Sequence, residues 1–167
     1  IVHRALHLFV AANPDALPED ALERLLEIGR AEFAQYENKA AVMAFWWPRF
    51  QKIARWFVEN EAMLRPSLEA SHTELDGALS IADVKPAFTL KARADRIDRL
   101  ASGELVVIDY KTGAAPRPQE VLLGLSPQLS LEAAIALESG FDGLAYGTIA
   151  ELQSWRLSGG AVPGEIK

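Results

Sequence analysis

Apolar residues change their period near Pro66, and this limits the chain to folds that join a helical half to a stranded half. Ahead of that point Val2, Leu6, Phe9 and Val10 recur at helical spacing until Asn13-Pro14-Asp15 breaks the pattern, so the chain begins inside a helix. Pro18 to Tyr36 repeats the spacing with Leu22, Leu25, Leu26, Ile28 and Phe33, and Pro18-Glu19-Asp20 suits a helix start. From Ala40 to Leu64 an aromatic-rich segment offers Trp46, Trp47, Phe50, Ile53, Trp56 and Phe57 for packing. Pro48 marks a start or a kink there, giving one bent helix or two short ones.

Beyond Pro66 the runs Ser71 to Ile81, Ala87 to Leu100 and Leu105 to Tyr110 are β-type, and Asp76-Gly77, Asp83 to Pro86 and Ser102-Gly103 supply turn residues. They read as a three-stranded meander. Pro118 to Leu125 suits a short helix, Pro127 to Glu138 a helix closed by Gly140, and Leu144 to Leu152 a last strand. The expected fold is α/β, a mixed sheet flanked by helices in the order ααα-βββ-α-β. Residues 1–167 are the size of one domain, and an apolar half of the composition suffices for its core. Gly159 to Gly164 is the nearest thing to a linker, and the ends look like cuts through a longer polypeptide.

The chain has no cysteine, which excludes a disulfide framework, a thiolate zinc site and a cysteine-ligated iron-sulfur cluster within these residues. Any metal must sit on oxygen and imidazole. No apolar run reaches the ~18 residues needed to span a bilayer and no signal peptide opens the sequence, so no membrane is expected and the chain reads as soluble and cytoplasmic. A formal charge of −6 argues against broad nucleic-acid binding, since phosphate affinity comes mainly from Lys and Arg. Basic residues nonetheless cluster locally at Lys91, Arg93, Arg96, Arg99, Lys111 and Arg117, away from the acidic group Asp15, Glu19, Asp20 and Glu23. A larger assembly would supply the rest of a DNA grip.

The chemistry concentrates where Leu105-Val106-Val107-Ile108 runs into Asp109-Tyr110-Lys111. Strand alternation puts Asp109 and Lys111 on one face and Tyr110 on the other. The preceding strand alternates from Phe88 to Asp95, with Lys91, Arg93 and Asp95 at odd positions away from the apolar face. Whether Asp95 meets Asp109 is a matter of hairpin register. A two-residue turn at Ser102-Gly103 pairs Asp95 with Tyr110, whereas a three-residue loop Ala101-Ser102-Gly103, with Gly103 left-handed, pairs it with Asp109. The three-residue loop is the expectation. Two carboxylates brought close raise one another's pKa unless a cation lies between them, and Mg²⁺ is the natural occupant, with Mn²⁺ a substitute. Such a cation polarises a scissile phosphate while Lys111 holds water or stabilises charge on phosphate oxygens, which is phosphodiester hydrolysis without a covalent intermediate.

Three segments in this order, Phe88 to Arg99, Asp109-Tyr110-Lys111-Thr112-Gly113 and Ser126-Pro127-Gln128-Leu129-Ser130-Leu131-Glu132, resemble the PD-(D/E)XK nucleases with their restriction-endonuclease-like core. Within them the chain is most similar to the RecB-like nuclease domain of AddB helicase-nuclease subunits, along most of its length. The resemblance implies Asp95 and Asp109 as metal ligands, the carbonyl of Tyr110 as a further ligand, His3 as the helical histidine ligand, Lys111 as the catalytic lysine and Gln128 as the glutamine of the following helix. It also implies DNA as substrate, double-strand break repair as the setting and an AddA-like helicase-nuclease as partner. Relatives often carry a tyrosine where Glu132 stands, which leaves that position's role open. Some relatives bind an iron-sulfur cluster through four cysteines, so this chain is expected to be a cluster-free version.

Plainer readings stand beside these. Asp109 and Lys111 alone would also suit a surface ion pair. His3 and His7 have a zinc-binding spacing, but Arg4 stands where a metalloprotease helix has glutamate, so His7 reads as helix surface. Glu74 and Asp98 suit an exposed carboxylate and a local charge pair, and the Trp46-Trp47-Trp56 group suits a core more than a base-stacking platform. Lys91 and Arg93 suit DNA phosphates or plain solvation. A non-catalytic DNA-binding or scaffolding remnant of such a nuclease would be expected to have lost Asp95, Asp109 or Lys111.

Overall fold

A computed structural model describes residues 1–36, 38–82 and 85–167. The turn expected at Asp83 lies partly outside the described residues. Three helices come first, α1 (Val2–Ala12), α2 (Ala21–Phe33) and α3 (Ala40–Leu64). Ala5, Leu6, Phe9 and Val10 form the buried stripe of α1, and Leu25 and Phe33 that of α2. Both meet Phe50, Ile53 and Phe57 of α3 in one apolar cluster. α2 and α3 touch closely because Gly29 has no side chain: a Cβ there would stand 2.0 Å from a ring carbon of Phe50. α3 is one helix with Pro48 inside it; Pro48 and Ala44 are both exposed, so the carbonyl that loses its helical partner faces water. No helix is long and apolar enough to cross a membrane among the described residues.

Five strands follow, β1 (Leu68–Ile81), β2 (Phe88–Leu100), β3 (Leu105–Lys111), β4 (Ile149–Leu157) and β5 (Gly164–Ile166), paired in that spatial order. All neighbours are antiparallel except β3 and β4, which are parallel. The connection between those two carries α4 (Pro118–Leu122) and α5 (Gln128–Glu138). α5 packs on the sheet face opposite α1–α3, where Leu129, Ile135 and Ala136 join Ala94, Ile97, Leu105 and Val107 in a second cluster. The expected order holds, with β5 as an addition.

Asp76-Gly77 makes no turn but stays inside β1 opposite Arg93 and Ala92, its glycine leaving room for the Phe141 ring, which a Cβ would approach within 2.5 Å. Two boundaries also differ from expectation for physical reasons. Leu144 does not open a strand: Gly140 and Gly143 have positive φ, and Leu144 plugs the second cluster from a turn that bridges back to Phe141. β4 therefore starts at Ile149. The glycine-rich stretch near the end leads into β5, whose Gly164 lies so close to α3 that a Cβ would come within 2.3 Å of the Trp56 ring.

The β2–β3 hairpin has the expected loop. Leu100 N–H bonds to Glu104 O at 2.8 Å, and Gly103 takes φ +88°. Paired residues run from Arg99 opposite Leu105 to Arg96 opposite Ile108, and one further step sets Asp95 opposite Asp109. The β1–β2 ladder pairs Thr73 with Arg96 and Leu75 with Ala94, which leaves Glu74 across from Asp95, and Glu74 has φ +55°. Side chains change sides at this point. Leu75 and Ala94 belong to the α5-side cluster, whereas Thr73 bonds His7 of α1 and Arg96 bonds Glu61 of α3. Ordinary alternation would have kept residues two apart on one face.

Candidate active site

Asp109 is the centre of the polar cluster at the C-terminal end of β3. That strand is buried on both faces: Val106, Ile108 and Tyr110 enter the α1–α3 cluster, and Leu105 and Val107 the α5 cluster. Asp109 therefore faces α5, as alternation predicts, and is 2% exposed. Its Oδ1 accepts from Lys111 Nζ at 2.9 Å and from Gln128 Nε2 at 2.8 Å. Lys111 Nζ also donates to Gln128 Oε1 at 2.8 Å. Oδ2 of Asp109 is buried with no partner among the described residues. Burial pushes the Asp109 carboxyl above its ordinary value; Lys111 opposes this, Asp95 adds to it, and His3 opposes it weakly.

Asp95 reaches the same region from β2. Its Oδ2 accepts the Tyr110 backbone N–H at 2.8 Å, so the carboxylate takes the place of a ladder carbonyl where the strands part. His3 of α1 lies with Nδ1 at 3.6 Å from that oxygen. The Tyr110 ring enters the core edge-on to Phe57 and Trp155, and His3 stands edge-on to it with ring centroids 6.0 Å apart. Asp95, Asp109, Lys111, Gln128, His3 and the backbone of Tyr110 are thus gathered at one end of the sheet.

Arg93 lies beside them, 59% exposed and paired with Glu74 at 2.8 Å, in a surface cleft of about 410 Å³ that His3, Arg4 and His7 also line. Lys91 sits farther along the hairpin arm, in a neighbouring cleft with Asp76 and Asp142 that Arg93 also lines.

Several expectations need correction. Arg96, counted with the basic cluster, is fully buried: it bonds Asp98 Oδ1 at 2.6 Å, Glu61, and Ser71 Oγ at 3.3 Å, and lies over the Trp155 ring. Burial works against its charge, but Tyr110, Asp98 and Glu61 outweigh burial and hold its pKa above the usual range. Arg65 completes the network by donating to Glu61 at 2.7 Å. Asp98 is indeed in a charge pair, though one inside the core. His7 is half-buried, its Nδ1 2.7 Å from Thr73 Oγ1, which fixes α1 to β1. Trp46 is 42% exposed beside Phe45, because it points off the packed side of α3.

One residue of the cluster was not singled out as functional. Glu132, one helical turn beyond Gln128, is 2% exposed; its Oε1 accepts from Gln128 Nε2 at 3.2 Å and its Oε2 has no partner among the described residues. Burial, reinforced by Asp109 and Asp95, pushes its carboxyl up to about 7. The four-residue spacing from Gln128 is the signal that places it on the same helix face.

These donors suit a hard divalent cation. Two carboxylates from adjacent strands and an imidazole stand together, Asp109 keeps a spare buried oxygen, and the mutual repulsion of the acids is what a cation relieves. Among the described residues no three His, Asp or Glu side chains already converge into a finished metal cage.

Comparison with known proteins agrees with this geometry. Residues 1–161 match the PD-(D/E)XK nuclease superfamily. The chain is 31% identical over 141 residues to an uncharacterized protein of Rickettsia bellii, covering 84% of this chain and 17% of that protein. An uncharacterized Rickettsia typhi protein is 28% identical over 123 residues, 74% of this chain and 14% of its own length. One from Rickettsia conorii is 32% identical over 96 residues, 58% of this chain and 12% of its own. The chain thus spans less than one-fifth of the curated relatives it matches. With acids on adjacent strands, a lysine two residues past the second acid and a family match along almost its whole length, the chain belongs to the PD-(D/E)XK nuclease superfamily.

Proposed function

We propose that this chain is a single Mg²⁺-dependent deoxyribonuclease domain of a longer AddB-like subunit. It would cut DNA ends during double-strand break repair beside an AddA-like helicase-nuclease, in the cytoplasm. The observation that carries the catalytic part is the triangle of Asp109, Lys111 and Gln128, with Asp95 brought in from β2. A remnant free of selection for chemistry has no reason to keep a buried acid, an ammonium and an amide in mutual contact.

Asp95, Asp109, His3 and the Tyr110 carbonyl would hold the cation, with Mn²⁺ able to replace Mg²⁺. When bound, the cation supplies Lewis-acid charge to the scissile phosphate. Lys111 carries the fixed positive charge that meets charge growing on phosphate oxygens, or holds the attacking water. Gln128 keeps Lys111 and Asp109 at their present separation. Arg93, and Lys91 farther out, offer phosphate contacts, while the formal charge of −6 supports a partner that supplies most of the DNA grip. The AddB-like assignment rests on the motif order around Asp95, Asp109 and Gln128.

The test is cleavage of single-stranded DNA by the full-length protein with Mg²⁺, comparing wild type with Asp109→Ala and Lys111→Ala. Each substitution is expected to lower the rate by about 100-fold or more. Equal cleavage by wild type and both variants would sink the reading.

A further inference from the structure

We infer that Glu132 is a positioning residue of this site: it holds the Gln128 amide so that its NH₂ end faces Asp109 and its carbonyl faces Lys111. The inference rests on the nuclease reading for its catalytic meaning, and on hydrogen-bond geometry for its structural part.

The two ends of the Gln128 amide have opposite polarity. Oε1 accepts from Lys111 at 2.8 Å, while Nε2 donates to Asp109 Oδ1 at 2.8 Å and to Glu132 Oε1 at 3.2 Å. An amide nitrogen has two protons, and here each has a carboxylate acceptor. A flipped amide would set N–H groups against an ammonium, which has no acceptor, and an oxygen against two carboxylates. Three neighbours therefore select one orientation.

They do not remain equally available. On the nuclease reading Lys111 would turn to a phosphate and Asp109 would share its carboxylate charge with a cation through its spare oxygen, and both bonds to Gln128 would weaken. Glu132 has no such second task. It lies on α5 one turn from Gln128, is 2% exposed, and among the described residues bonds Gln128 alone. Its neighbours on the buried side of the helix, Leu129, Ala133 and Ala136, are apolar, and its second oxygen is buried without a partner. Such a carboxylate costs stability that an apolar side chain of similar size would not. A residue kept at that cost, with its one bond directed at the amide between acid and lysine, is explained by what it does to that amide.

The experiment compares Glu132→Leu and Glu132→Gln in the full-length protein. Leucine removes the acceptor, and glutamine keeps a carbonyl for the Gln128 NH₂. With an oligonucleotide substrate and Mg²⁺, Glu132→Leu is expected to lower kcat about tenfold at unchanged KM, and Glu132→Gln to restore it to within about twofold. Wild-type kcat in Glu132→Leu, or equal losses in both variants, would overturn the inference. A second readout does not depend on cleavage. In metal-free protein labelled with ¹⁵N-glutamine, the Gln128 side-chain amide, identified by its loss in Gln128→Ala, should give two proton signals displaced from free-glutamine positions. These should collapse toward free-glutamine positions in Glu132→Leu and persist in Glu132→Gln; unchanged signals in Glu132→Leu would overturn the positioning role. Absence of cleavage by wild type would count against the nuclease reading alone, and the amide signals would still decide the role of Glu132.

Discussion

Replacing Arg96 with methionine removes a cation from a pocket that holds two carboxylates. In the wild type Arg96 is fully buried and donates to Glu61, to Asp98 at 2.6 Å, to Ser71 at 3.3 Å and to the Tyr110 hydroxyl at 3.4 Å. Glu61 keeps Arg65 as a partner in the variant, but Asp98, 2% exposed, loses the guanidinium that bonds it. Breaking a buried pair from one side costs about 3–5 kcal/mol, because the remaining charge stays desolvated without compensation. For a chain of this length that corresponds to a fall in Tm of roughly 6–20 °C. Urea unfolding followed by circular dichroism measures it directly. The double variant Arg96→Met with Asp98→Leu removes the stranded charge as well and should recover at least half of the loss. A single-variant loss below about 1 kcal/mol, or no recovery in the double variant, would refute the view of Arg96 as a core cation whose value lies in balancing Glu61 and Asp98.

Two further outcomes follow from the same reasoning. Glu132 rises from its ordinary 4.5 to about 7 on folding, so its contribution to stability is fully present below pH 4.5 and is lost as pH rises through about 7. At about 1.4 kcal/mol per unit this is at most roughly 3–4 kcal/mol. The stability of chelator-treated wild type relative to Glu132→Gln should therefore fall by up to that amount between about pH 4 and pH 8, and parallel pH curves would count against it. Glu74 has a left-handed backbone at φ +55°, which glycine adopts without a Cβ clash. Glu74→Gly should raise stability by about 1 kcal/mol despite losing the exposed Arg93 pair, and a net loss in urea unfolding would show that the conformation carries no strain.

The parts of the site that depend on backbone periodicity were legible from the residues. Side chains alternate along a strand without exception when its neighbours are regular, so Asp109 and Lys111 had to share a face, and Gly103 had to take the left-handed position that sets Asp95 opposite Asp109. The change of sides at Glu74 and Asp95 was not legible, because a glutamate with positive φ leaves no mark in composition. Arg96 was misplaced for a related reason: its balancing partner Glu61 lies on α3, 35 residues away, and local pattern assigns an isolated arginine to solvent. β5 was hidden because Gly164, which lets it approach Trp56, closes a glycine-rich stretch of the kind that also favours loops. Glu132 was visible as a departure from the pattern of relatives, but its contact with Gln128 required the helix to be seen against β3.

Because Asp95 stands where β1 and β2 pass their side chains from one apolar cluster to the other, both clusters bear on the same carboxylate. Phe9 and Phe57 pack on one side of that point, and Ile135 and Phe141 on the other, so a cavity opened in either cluster is expected to disturb the placement of Asp95. In an evolving lineage such a point works as a filter: variants drifting toward marginal stability lose the alignment of their acids before they lose their fold. Descendants released from selection on cleavage would then retain the sheet and its helices long after the chemistry has gone.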